Sequence, residues 1–177
     1  MILRLAGPGD LGAALRLRAD AQQWLQAIGS DQWDPALPTS NTAEAISRSI
    51  AAGDTFVVED VEGVGATITI DTSPDDGLWT PREINGALFV HRLIVARRLA
   101  SRGVADALLN FAAQEAEERG LTWLRLDCWT SNAALRKYYL GRGFTHVRTV
   151  TDHPLPSAVC MQRRSCVRTP AAAIYRG

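Results

Sequence analysis

Leu93-Ile94-Val95-Ala96-Arg97-Arg98-Leu99-Ala100-Ser101-Arg102-Gly103-Val104-Ala105 is the stretch on which the reading of this chain turns. The apolar run from Ala87 to Val95 predicts a strand, and the pattern from Asp106 to Arg119 predicts a helix, with a basic glycine turn between them. Bare backbone amides at a helix start converge there with the positive end of the helix dipole, which makes an anion site. Gly103 lets the backbone come close to a ligand, while Arg97, Arg98 and Arg102 add positive field. Taken alone, such a turn equally suits an ordinary strand-to-helix connection with solvated arginines.

A second stretch lies downstream. Asn132-Ala133-Ala134-Leu135-Arg136-Lys137-Tyr138-Tyr139-Leu140-Gly141-Arg142-Gly143-Phe144 places Asn132 at the start of a short helix and Tyr139 about two turns later on the same face. Gly143 ends that helix and Phe144 opens a strand. With this second stretch the chain resembles the GNAT superfamily of acyl-CoA N-acyltransferases. The family's later motif is Asn, seven residues to Tyr, then three residues to Gly-Phe, and every named position matches. Its cofactor motif, Arg/Gln-x-x-Gly-x-Gly/Ala, matches in part: Gly103 and Ala105 fit, whereas Ala100 stands at the Arg/Gln position. Ser101 replaces a frequent glycine, and Asp106 puts a carboxylate in the first helical turn, where it should point away from phosphates or weaken their binding.

The resemblance implies an α/β (α+β) fold with a mixed, mostly antiparallel twisted sheet flanked by about four helices. It implies acetyl-CoA as cosubstrate and no metal. The pantetheine would lie like an added strand between Leu93-Ile94-Val95 and the strand ending at Cys128, with the pyrophosphate at Arg98, Ser101, Arg102, Gly103, Val104 and Ala105. Asn132 and Tyr139 complete the expected cofactor contacts, although Asn132 equally suits an N-cap. The expected reaction moves an acetyl group to a primary amine of a small molecule or peptide by direct attack in a ternary complex. The alternative is a catalytically weak or inactive CoA-binding sensor or interaction module on the same scaffold.

Amide formation needs a neutral amine, a donor for the oxyanion and a proton for the leaving thiolate. Tyr139 is the candidate acid; Tyr138 is assigned to packing. His91 and Asp127 are candidate bases, each with a structural alternative, and Asp127 could instead hold a substrate cation. Trp33 and Trp79, with Trp24, are expected near the acceptor, and Trp33 between Asp31 and Asp34 could receive an ammonium.

At 177 residues and 46% hydrophobic, the chain suits one domain over about residues 1–163, with 164–177 as a loose tail. A formal charge of zero argues against a general nucleic-acid binder. No apolar run is long enough for a membrane span and no leader pattern opens the chain, so a cytoplasmic protein is expected, with a homodimer allowed. Cys128, Cys160 and Cys166 read as free thiols. The expected element order is β-α-α-β-β-β-α-β-α-β-β, with a loop over residues 30–41, a turn at 74–77 and a connection at 153–156.

Overall fold

The computed structural model describes residues 1–36, 42–74, 77–154 and 156–177. Pro38 of the expected loop, Asp75 and Asp76 of the expected turn and Leu155 of the connection lie outside the described residues. Eight strands form one sheet: β1 (Ile2–Leu5), β2 (Thr55–Asp60), β3 (Gly63–Asp71), β4 (Ala87–Val95), β5 (Trp123–Cys128), β6 (Thr145–Thr149), β7 (Val159–Arg164) and β8 (Tyr175–Arg176). Their spatial order is β6-β7-β5-β4-β3-β2-β1-β8. β4 with β5 and β1 with β8 run parallel, and the other neighbours run antiparallel.

The helices are α1 (Leu11–Ala27), α2 (Thr42–Ala51), α3 (Pro81–Ile84), α4 (Val104–Glu118) and α5 (Ala133–Leu140). The expected order holds, with α3 and β8 added. The single turn of α3 follows from a capping box, in which Thr80 precedes Pro81 and the Glu83 carboxylate accepts from the Thr80 N–H at 2.9 Å.

Alternation along the strands builds two unlike faces. On one, Ile68, Leu88, Leu124 and Met161 meet Leu108, Leu109, Ala112 and Ala116 of α4, none more than 1% exposed. The alanines let α4 lie close to the sheet, and truncating Leu108 there would cost about 2–5 kcal/mol. On the other face the apolar surface is divided. Ala6, Ala14, Ile46, Ile50 and Val57 cluster beneath α1 and α2, while Leu78, Trp79, Phe89 and Cys160 cluster beside α3. Thr67 and Thr69 of β3 fall between these clusters in the register, and Thr69 shares a 2.9 Å hydroxyl contact with Thr55.

The last segment corrects the expectation of a loose tail. Thr169 exchanges hydrogen bonds with the Asn110 amide, at 2.7 and 3.1 Å, and Arg176 pairs with Glu115 at 2.9 Å. Ala172 and Ile174 turn inward onto the α4 core between more exposed neighbours. Tyr175 and Arg176 then add β8 in parallel to β1, where Tyr175 donates to the Met1 carbonyl at 3.1 Å. Short basic and alanine-rich segments carry weak periodic signal, so this docking is set by the groove they meet rather than by local pattern.

Candidate active site

β4 and β5 part company partway along. Ala87, Leu88 and Phe89 pair with Trp123, Leu124 and Arg125, and no pairing follows, although β4 runs on to Val95 and β5 to Cys128. On its other edge β4 carries one extra residue: Thr67 faces Ile94 while Thr69 faces His91. Arg92 absorbs the surplus at φ 48°, and its carbonyl accepts from the Thr67 hydroxyl at 3.1 Å. A bulge bends and twists its strand. Leu93 to Val95 are thereby free of β5 and wall a cavity of about 910 Å³, together with α1, the start of α4 and α5.

The start of α4 opens into that cavity. Gly103 is its N-cap at φ 77° and supplies no capping side chain, so the first-turn amides remain open to a ligand. Ser101, also lining the cavity, has φ 60°. The bare side of Gly103 faces elsewhere, since a Cβ there would come within 2.8 Å of the Ala172 nitrogen. Its missing side chain thus serves the passage of the tail, a reason the sequence did not suggest.

The arginines divide their roles. Arg98 lines the cavity, yet its guanidinium pairs with Asp60 and donates to the Gly63 carbonyl at 3.3 Å. Gly65 makes room for that turn, because a Cβ there would lie 2.5 Å from Leu99 Cδ1. Arg97 stacks over Trp24 at 4.1 Å, both beside the cavity, and Arg102 is exposed.

Asp106 lines the cavity too, and its charge is met by the chain itself. Its carboxylate accepts from Arg142 Nε at 2.7 Å and from the Tyr138 hydroxyl at 3.1 Å, and Arg142 lies 3.8 Å over the Tyr138 ring. The trio ties the first turn of α4 to the end of α5. Tyr138 therefore does more than pack.

Asn132 caps α5, its Oδ1 accepting from the Leu135 N–H at 2.9 Å, while its Nδ2 donates to Gln32 at 2.6 Å. Tyr139 lies two turns on and lines the cavity. Its ring packs edge-on against Tyr138 and Phe144, each at 5.4 Å, and only 7% of the residue is exposed. Burial, with smaller contributions from Cys128, Tyr138 and Asp127, pushes the phenol far above its ordinary range. It stays protonated at neutral pH, and the same burial makes it a weaker acid than an ordinary phenol.

The acceptor candidates are not gathered in this way. His91 Nε2 lies 3.4 Å from Asp71, and Asp127 accepts from the Ser157 hydroxyl; neither lines the cavity. Trp79 is buried against Phe89 at 5.5 Å, also away from it. Trp33 does line the cavity, at φ 66°, but Arg18 already covers its ring at 3.8 Å. Of its acidic neighbours, Asp31 accepts from Trp129 Nε1 at 3.0 Å and from Ser131, and Asp34 accepts from the Ala36 N–H at 2.9 Å. Trp33 thus stands at the cavity with its ring already against one cation of the chain, and both acidic neighbours already accept hydrogen bonds. Arg18, Gln32 and Arg142 were not singled out from the sequence, since nothing local marks an arginine or glutamine whose partner lies on another element.

Burial pushes the Cys128 thiol up to about 12 and the Cys160 thiol to about 11, so neither is a thiolate nucleophile near neutrality. Among the described residues no group of three or more His, Cys, Asp or Glu is placed to hold a metal, and no helix is long and apolar enough to cross a membrane.

Comparison with known proteins agrees with this geometry. Residues 19–144 match the model of the acetyltransferase (GNAT) family. The chain is 30% identical over 125 residues to the uncharacterized N-acetyltransferase YesJ of Bacillus subtilis, covering 69% of each protein. It is similar in structure to a GNAT family acetyltransferase of Listeria monocytogenes, with a TM-score of 0.76, 26% identity and coverage of 92% of this chain and 93% of that one. The fold is also that of the PaiA N-acetyltransferase of Thermoplasma acidophilum, solved in complex with coenzyme A, at a TM-score of 0.67 and 14% identity over 92% and 97% of the two chains. The chain belongs to the GNAT family of acyl-CoA-dependent N-acetyltransferases.

Proposed function

We propose that this protein transfers an acetyl group from acetyl-CoA to a primary amine of a small molecule or peptide, by direct attack in a ternary complex. One observation carries the reading: β4 and β5 separate over a cavity into which both the open amides of α4 and a buried, neutral tyrosine face. Acetyl-CoA supplies the activated acyl group. The chain supplies main-chain groups of Leu93, Ile94 and Val95 as one edge for the pantetheine, and the amides of Gly103, Val104 and Ala105 for the pyrophosphate. Arg102 adds charge at the surface, whereas Arg98, held by Asp60, acts at longer range.

Tyr139 delivers a proton to the departing sulfur. An ordinary thiol near pKa 8.5 is already a fair leaving group, so this help is modest. His91 and Asp127 stand outside the cavity, and the proton of the attacking amine passes to water rather than to either of them. The three free thiols suit a reducing cytoplasm, where we place the reaction. A panel of amines incubated with acetyl-CoA and followed by free thiol release tests the reading. Amine-dependent thiol release with the matching acetylated product supports it, and the absence of CoA binding by calorimetry overturns it.

A further inference from the structure

We propose that the segment from Thr169 to Gly177 is a strap that holds the cofactor loop in its binding geometry, so that its docking and acyl-CoA binding strengthen each other. This rests on the acyl-CoA reading of the cavity.

The strap touches the loop at its left-handed glycine. Gly103 is left-handed, at φ 77°, and its carbonyl starts the α4 ladder by accepting from the Ala107 N–H at 3.0 Å. The same carbonyl accepts from the Ala172 N–H at 3.2 Å. Ala171 and Ala172 pass so close that a Cβ on Gly103 would sit 2.8 Å from the Ala172 nitrogen and 3.3 Å from the Ala171 carbonyl carbon. Cavity and strap therefore meet at one residue, Gly103 lining the first and carrying the second.

The strap is anchored on both sides of that contact. Upstream, Asn110 on the second turn of α4 holds Thr169 through hydrogen bonds of 2.7 and 3.1 Å. Downstream, Tyr175 donates to the Met1 carbonyl at 3.1 Å and Gly177 to the Leu3 carbonyl at 2.9 Å, closing β8 onto the sheet. Apolar contact between the two anchors is slight, because Ala172 and Ile174 are the residues that turn inward. An element held by a few hydrogen bonds and the half-exposed ion pair of Arg176 with Glu115 opens at low cost. Anything that orders the loop then orders the strap, by the same factor in both directions.

Two measurements on the full chain test this. Hydrogen exchange with and without CoA should show slower exchange at Ala172, Tyr175 and Gly177 when CoA is bound, although those residues do not line the cavity. Calorimetry with CoA should show weaker binding by about five-fold or more for Ala172→Pro, which removes the N–H given to Gly103, and for Asn110→Ala, which frees Thr169. Unchanged exchange together with wild-type affinity in both variants overturns the strap, even if their melting temperatures fall. Failure of the unaltered chain to bind CoA would overturn the acyl-CoA reading itself, and the strap with it.

Discussion

The two sides of the cleft organise their polar groups in opposite ways. Where α4 and α5 meet it, Gly103 from the start of α4 and Asn132 and Tyr139 from α5 converge on one cavity. On the sheet face shared with α3, His91, Asp127 and Trp79 stay apart, lying against Asp71, Ser157 and Phe89. The first site is made of chain ends: a helix start, a strand that has lost its neighbour, and one side chain fixed two turns from a cap. Topology alone assembles such groups. The second depends on which side chain reaches which, and here the chain's own residues reach first.

If convergence marks function, the largest effect belongs to Tyr139. Tyr139→Phe keeps the ring against Tyr138 and Phe144 and removes only the hydroxyl. Turnover should fall about 10²-fold, the low end for a general acid, because the thiolate leaves readily. CoA affinity should stay within a few-fold. Steady-state rates with a responsive amine, beside calorimetry, check both, and unchanged turnover would reduce Tyr139 to a packing residue.

Asp106 sharpens the comparison, since it is the acid on the cofactor side. Asp106→Asn leaves a hydrogen-bonding group for Tyr138 but removes the countercharge of Arg142. The freed guanidinium beside the cavity should tighten CoA binding a few-fold at low salt, with the gain fading as ionic strength rises. Stability should fall by about 1 kcal/mol, a modest loss for a partly exposed ion pair. Affinity and stability moving together in the same direction would show that the carboxylate does not act through Arg142.

What could be read from the sequence follows the same divide. The order of strands and helices, the cavity-lining turn at Gly103 and the Asn132 to Phe144 unit were readable, because period, caps and glycine punctuation are local signals. The bulge at Arg92 was not, since nothing in Val90-His91-Arg92-Leu93 marks a positive φ. The Arg142–Asp106 and Arg98–Asp60 pairs join residues far apart in sequence. The tail looked loose because its order comes from Asn110, Gly103 and Met1, none of them its neighbours in sequence.

The α3 side makes a prediction in acid. Burial alone would raise the Glu83 carboxyl, but Arg148 and the Thr80 N–H and hydroxyl hold it at about 2. An unfolded glutamate titrates near 4.3, so the folded state binds its proton less readily. The resulting stability is complete above about pH 4.5 and is lost as pH falls toward about 2. Urea midpoints at about pH 6 and pH 3 should therefore draw closer in Glu83→Gln than in the wild type. An equal drop in both proteins would mean that another carboxylate governs acid unfolding.

The smallest effects should come from the acceptor-side residues that sequence alone favoured. A general base must come within hydrogen-bond reach of the proton it takes, directly or through one water. His91 faces Asp71 and Asp127 faces Ser157, and neither lines the cavity. Engaging the amine would require His91 or Asp127 to turn from that contact toward the cleft. His91→Gln and Asp127→Asn should each lower turnover by less than about three-fold, with the pH–rate profile keeping its shape, whereas removing a working base costs about 10²-fold or more and removes a limb of that profile. A loss of that size in either variant would show that the acceptor draws the residue into the cavity, and the two sides of the cleft would then differ only until the amine binds.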